Sequence, residues 1–304
     1  MQHLPIQHGL AAIILATVHW SVAADPIVDV VILAGQSNMV GGASVSDLPD
    51  HLIEYVEVNE QVVMRSWLNG TTVENGWTHL APRNGTSFGP EMMLGHELST
   101  AFPDRSVAFI KIAANGTNMH CDWNPVNCGQ NMFWHLMTKV ETWTTELEEI
   151  GFDVRIAALA WVQGEADSRA EWCGNAYGAH LSFFIDRVRY ELQEPALPML
   201  IAKVQPRDED YSFFNLVHEG MEEVAREDER VSTVSCAAMP LRDDLIHFNP
   251  EGMLQLGAAL ADGLRTMGVF KDSADLSCAG DLNADGSVNA NDLLSVLEVW
   301  GPCP

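Results

Sequence analysis

Apolar, β-branched runs recur along the chain at 28–34, 107–113, 156–162, 199–204 and 231–236. A run that stays apolar, as 28–34 does, fits a strand buried on both faces better than one with a wet side. Between these runs, apolar positions repeat with helical spacing near 90–101, 131–149, 175–193, 211–227 and 250–267. Strand and helix therefore alternate, which predicts a parallel sheet covered on both faces and joined by right-handed crossovers. Residues 43–89 break the rhythm. They contain Trp67, Trp77 and Pro82 and read as an excursion near the site, with a short hairpin around 60–73.

The first run ends at Gly35 and delivers Ser37 onto a tight turn, at the sheet edge where open α/β proteins hold their ligands. Ser37 is the candidate nucleophile; the plain alternative is a serine that only caps the next helix. Acyl transfer also needs a base, an acid to orient it and donors for an oxyanion. His247 stands three residues after Asp244 and just before Asn249-Pro250, a helix start that would lock a short loop.

The words GQSNM, SFGPEMMLGHEL, IKIAANGT, WVQGEAD and DDLIHFNPEG follow one another between about residues 27 and 268. In that order they resemble the blocks of the SGNH (GDSL-like) hydrolases, in the branch of acetyl xylan esterases and sialate O-acetylesterases. The resemblance implies a three-layer α/β/α sandwich on a parallel, flavodoxin-like sheet of about five strands. It implies Ser37 as nucleophile and His247 as base. Oxyanion donors would come from the backbone of Ser37, the backbone of Gly116 and the side-chain amide of Gln163. Asp244 has the family's D-x-x-H relation, but some similar enzymes use the glutamate of Q-G-E, here Glu165. Both stand as candidates for the acid, with Asp244 preferred, and Asp167 reads as a brace for its turn. No cofactor is expected for the chemistry.

The formal charge of -26, from 16 basic and 42 acidic residues, argues against nucleic acid and anionic membrane surfaces. Residues 9–24 form an apolar run ending in small residues, so 1–24 read as a signal peptide, with no membrane span after its removal. The expected location is outside a bacterial cell, in the periplasm or on the surface. Six cysteines in that setting suggest disulfides rather than zinc. Cys278 with Cys303 bracket the tail, Cys121 with Cys128 could close a short loop, and Cys173 with Cys236 follows by elimination.

Residues 25–272 form the expected catalytic domain, and 273–304 a small EF-hand-like module. In that module Asp281, Asn283, Asp285, Ser287 and Asp292 match calcium-loop positions 1, 3, 5, 7 and 12. With Asp rather than Glu at position 12, it resembles a single dockerin type I repeat. A calcium-stapled cap or attachment tail is expected, and an attachment partner is left open. The combined expectation is an exported serine esterase that removes O-acetyl groups from acetylated poly- or oligosaccharide through an acetyl-enzyme. The alternatives are a short-chain or lipid esterase, and an inactive calcium-dependent carbohydrate-binding or surface-attachment protein.

Overall fold

In chain order the elements of the computed structural model are β1 (Ile27–Gly35), α1 (Ser37–Val40), β2 (Ala43–Ser44), β3 (Asn59–Leu68), β4 (Thr71–Thr72), β5 (Thr78–Leu80), β6 (Ser87–Phe88), α2 (Glu91–Ala101), β7 (Ser106–Ala113), α3 (Met132–Glu149), β8 (Asp153–Val162), α4 (Glu171–Leu192), β9 (Met199–Lys203), α5 (Phe214–Glu227), β10 (Val231–Ser235) and α6 (Pro250–Thr266). The structure describes residues 26–126 and 128–270. The expected signal peptide, calcium repeat and Cys278–Cys303 bridge fall outside the described residues. Among the described residues, no helix is long and apolar enough to cross a membrane.

The long strands lie in the order β10-β9-β8-β1-β7-β3, all parallel. Without β3, the five strands anticipated from the apolar runs have the flavodoxin order 2-1-3-4-5. The sixth strand, β3, extends the edge beyond β7 and turns back through β4 as a hairpin. Its outer side is shared by β4, which pairs Trp67 and Leu68, and β5, which pairs Asn59, Val63 and Met64.

Because side chains alternate across a strand, β1 sends Val31 and Leu33 to one face and Val30 and Ile32 to the other. The first face packs against α2 and α6, the second against α3, α4 and α5. A sheet buried on both sides explains the apolar runs, and Trp123, Trp143 and Trp161 are core residues on the second face. Cys236 belongs to the first face, whereas α4, which carries Cys173, packs on the second. The expected Cys173–Cys236 bridge is therefore not formed, and both are buried free thiols. Cys121 and Cys128 do form a disulfide.

At the switch point, Gly35 pairs with Ala113 of β7 and Val162 of β8, so three strands end side by side. Gly35 has φ +153, and a Cβ there would meet the Val162 carbonyl oxygen at 2.0 Å. No other residue fits so close a backbone approach. The loops that leave these three strand ends build the site.

Candidate active site

The turn after β1 presents the nucleophile. The Gln36 N–H donates to the Val162 carbonyl at 2.9 Å, and the Gln36 side-chain oxygen accepts from Gln163 and from the Ala166 N–H, each at 3.1 Å. Ser37 then opens the single helical turn of α1. As a first-turn donor its N–H has no partner inside the helix, and no turn or loop bond among the described residues uses it. From below, the Lys111 ammonium donates to the Val40 carbonyl at 3.3 Å and to the Glu91 carboxylate at 2.6 Å. The pair is buried, and desolvation pulls Lys111 below the usual lysine range, partly offset by Glu91.

A loop before α6 supplies the base. Its ends are clipped by an Arg242 N–H bond to the His247 carbonyl at 2.7 Å, and α6 starts with Asn249 accepting from the Gly252 N–H, followed by Pro250. Leu245 takes φ +60, a left-handed conformation uncommon for a branched side chain, which sharpens the bend between acid and base. One Asp244 oxygen accepts from the N–H groups of Ile246 and His247, each at 2.9 Å, and the other lies 2.8 Å from His247 Nδ1. Partial burial opposes ionisation of Asp244, but the bonds from His247 and Ile246 outweigh it and hold the carboxyl below its ordinary range. His247 Nε2 lies 2.9 Å from Ser37 Oγ. With Nδ1–H donated to Asp244, Nε2 is the acceptor for the serine proton.

Asn38 joins these parts. Its amide donates to Glu165 at 2.7 Å and to the Ile246 carbonyl at 3.2 Å, and its oxygen accepts from the Phe248 N–H at 3.0 Å. Glu165 makes no hydrogen bond to His247; one of its oxygens binds Asn38 and the other is buried without a partner. Burial pushes it up to about 7 despite hydrogen bonding from its surroundings. Asp167 braces the neighbouring loop by accepting from the N–H groups of Met119 and His120. Burial lifts it to about 6.

Of the oxyanion candidates, Ser37 and Gly116 line a cavity of about 390 Å³ that also holds His247. Gly116 has φ +67, which a glycine adopts without cost, and the Asn115 N–H beside it is held by the Asn69 side chain at 2.8 Å. Gln163 is fully buried, and its amide faces Gln36, the Thr117 carbonyl and Asp167 rather than the cavity. The structure thus brings Ser37, His247, Asp244 and Gly116 together, and sets Gln163 and Glu165 behind them. Asn38, Asn69 and the Lys111–Glu91 pair are supports that sequence reasoning missed. The lone charge of Lys111 inside the apolar run SVAFIKIA was the one available signal.

Among the described residues, His120, Cys121 and Cys128 are the group with metal-ligand proximity, but both sulfurs are taken by the disulfide. The arrangement at Ser37 is one for nucleophilic attack with proton relay.

A family model described as carbohydrate esterase, sialic acid-specific acetylesterase, matches residues 27–266. A plant protein named "Probable carbohydrate esterase At4g34215", from Arabidopsis thaliana, is 26% identical over 127 residues, covering 42% of this chain and 46% of its own length. The chain thus aligns with about half the length of that curated relative. The X-ray structure of the same Arabidopsis protein superposes with a TM-score of 0.64 at 20% identity, covering 80% of this chain and 98% of that one. The structure of XAC1771, described as a novel carbohydrate acetylesterase from Xanthomonas citri, gives 0.59 at 14% identity, covering 79% and 56%. At these identities the structures are alike in fold.

Proposed function

Since the chain belongs to the sialic acid-specific acetylesterase family of carbohydrate esterases, we propose that it hydrolyses O-acetyl esters of carbohydrate through a covalent acetyl-enzyme on Ser37. The observation that carries this reading is the unbroken relay from Ser37 Oγ through the His247 ring to Asp244, at 2.9 and 2.8 Å.

His247 takes the Ser37 proton as Oγ attacks the acetyl carbonyl carbon. The negative charge that develops on the carbonyl oxygen is met by the N–H groups of Ser37 and Gly116, which are fixed before the substrate arrives. Asp244 stabilises the imidazolium and keeps its Nδ1–H turned away from the serine. His247 then gives its proton to the departing sugar oxygen, and the alcohol leaves. Water, deprotonated by the same imidazole, attacks the acetyl-serine and releases acetate. The Cys121–Cys128 bridge supports work in an oxidising compartment.

The test is acetate release from acetylated xylan, acetylated sialic acid and a series of aryl esters of increasing acyl length, with Ser37→Ala as control. Release from the acetylated sugars that is lost in the variant is the expected result. A strong preference for long acyl chains would indicate a lipid esterase, and no release from any ester would favour a binding protein.

A further inference from the structure

The turn that carries the Gly116 donor is built on a reactive pair. The sequence holds four Asn-Gly pairs, at 69–70, 75–76, 84–85 and 115–116. Among the described residues, only the last of these pairs lines the cavity with Ser37 and His247. Asn115 and Gly116 are both exposed, between Ala114 and Thr117, which are buried. No hydrogen bond among the described residues claims the Asn115 side chain or the Gly116 N–H; the group that Asn69 holds is the Asn115 backbone N–H.

An asparagine followed by glycine can close on itself. The Gly116 nitrogen attacks the Asn115 side-chain carbonyl carbon, a five-membered imide forms, and the side-chain nitrogen leaves as ammonia with the proton that the Gly116 nitrogen gives up. Water then opens the ring at either carbonyl. One opening gives aspartate in the normal chain, the other an isoaspartate whose backbone runs through the side-chain methylene and leaves the α-carboxylate free. Glycine favours the first step because no Cβ obstructs the approach of its nitrogen. Exposure of the pair gives water access to the ring.

We propose that Asn115–Gly116 is a spontaneous modification site, whose reaction disables the oxyanion hole and so silences the enzyme as it ages. The proposal rests on the esterase reading above, because it takes the Gly116 N–H as an oxyanion donor. The ends of the turn are pinned. The Ala114 N–H donates to the Gly35 carbonyl at 3.2 Å, and the Thr117 hydroxyl donates to the Ala114 carbonyl at 2.8 Å and accepts from the Trp123 indole at 2.9 Å. An extra backbone carbon between fixed ends has to displace Gly116, and its donor moves with it. Either product also sets a carboxylate beside the place where negative charge develops on the substrate, which opposes that charge. Loss of one oxyanion donor costs about 10²–10³ in kcat, so a modified molecule is close to inactive.

The test holds the purified protein at mildly acidic and mildly alkaline pH and samples it over several weeks. Each sample is assayed for acetate release and digested for mass spectrometry with electron-transfer fragmentation, which separates isoaspartate from aspartate. The peptide with residue 115 should gain the mass difference between water and ammonia, faster at alkaline pH because the attacking nitrogen must lose its proton. Activity should fall in step with the unmodified fraction at 115, through kcat with KM unchanged, whatever the state of Asn69, Asn75 and Asn84. In Asn115→Gln the ring would need six members and closes more slowly, so activity relative to that variant's own starting value should decay about tenfold more slowly or better. An intact Asn115 at the end of the incubation, or full activity after most of residue 115 is converted, overturns the proposal and leaves the esterase reading untouched. Unchanged decay in a folded Asn115→Gln does the same. Fresh protein that hydrolyses no ester fails on the esterase reading instead, and the peptide masses then decide the modification alone.

Discussion

The amide of Asn38, the residue after the nucleophile, holds the Glu165 carboxylate at 2.7 Å. Through its other bonds Asn38 also grips the chain on both sides of His247, at Ile246 and Phe248. Glu165 can therefore influence the base without touching it. Asn38→Ala removes three bonds at once and frees the histidine loop, and misplacement of a reacting group by about 1 Å can cost around a hundredfold. The expected outcome is a fall in kcat of that order with KM changed far less, checked by steady-state kinetics with circular dichroism as a control on folding.

Ser37→Ala and His247→Ala should each remove nearly all turnover while the domain stays folded. The two act as one unit, so the double variant should be little worse than either single. Measuring kcat for all three decides it, and substantial activity in Ser37→Ala would refute the nucleophile.

Asp244→Asn should be costly, on the order of 10⁴ in kcat, because an amide in that place can turn the imidazole to the wrong tautomer. Glu165→Gln keeps an acceptor for Asn38 and should stay within roughly tenfold of the wild type. The reverse ranking of these two variants would make Glu165 the acid.

Burial moves Glu165 from the ordinary value near 4.5 to about 7. Between those values the folded protein holds a proton that the unfolded chain has lost, so stability falls as pH rises through this window, and the penalty is complete above it. Asp167, raised to about 6, acts in the same direction. Glu165→Gln should therefore gain stability over the wild type from pH 4 to pH 8, by roughly 3 kcal/mol at most. Urea denaturation across that range is the measurement; a difference that does not vary with pH would show that Glu165 does not titrate there.

The Lys111–Glu91 pair lies beneath the nucleophile turn, and both members are buried. Removing one partner strands the other charge, so Glu91→Gln or Lys111→Met alone should cost about 3–5 kcal/mol, and the double exchange to apolar residues considerably less. Thermal unfolding of the single and double variants tests this, and a double-variant loss equal to the sum of the two single losses would show that the charges are not coupled.

The longer helices were legible from their apolar spacing, and β1, β7, β8 and β9 because burial on both faces writes an apolar run, while the half-buried β10 was legible from its β-branched residues. The strand β3, NEQVVMRSWL, was legible as an arm of the hairpin around 60–73 but not as a sixth strand of the main sheet, for a physical reason. It lies toward the sheet edge with the exposure pattern ieeBiBiBBB, so Glu60 and Gln61 sit at the surface while Arg65 is partly covered. The relation of Asp244 to His247 could be read because both lie on one short loop. The partners of Asn38 could not, being 127 to 210 residues away. Gln163 shows the same limit. Its residue type suits an oxyanion donor, but the acceptors that claim its protons come from three separate segments.

The two short strands against the outside of β3 bear on how the molecule behaves in company. An open strand edge offers unpaired N–H and C=O groups to any other chain and can seed sheet-to-sheet growth. Here β5 takes the first part of that edge and β4 the last, and neither is long enough to template a further strand. At the opposite end of the sheet, β10 has only five residues. With both margins blunted, a protein that must be kept at high concentration should remain dispersed, and loosening the 69–80 segment should raise its tendency to form β-rich aggregates before it harms the catalytic centre.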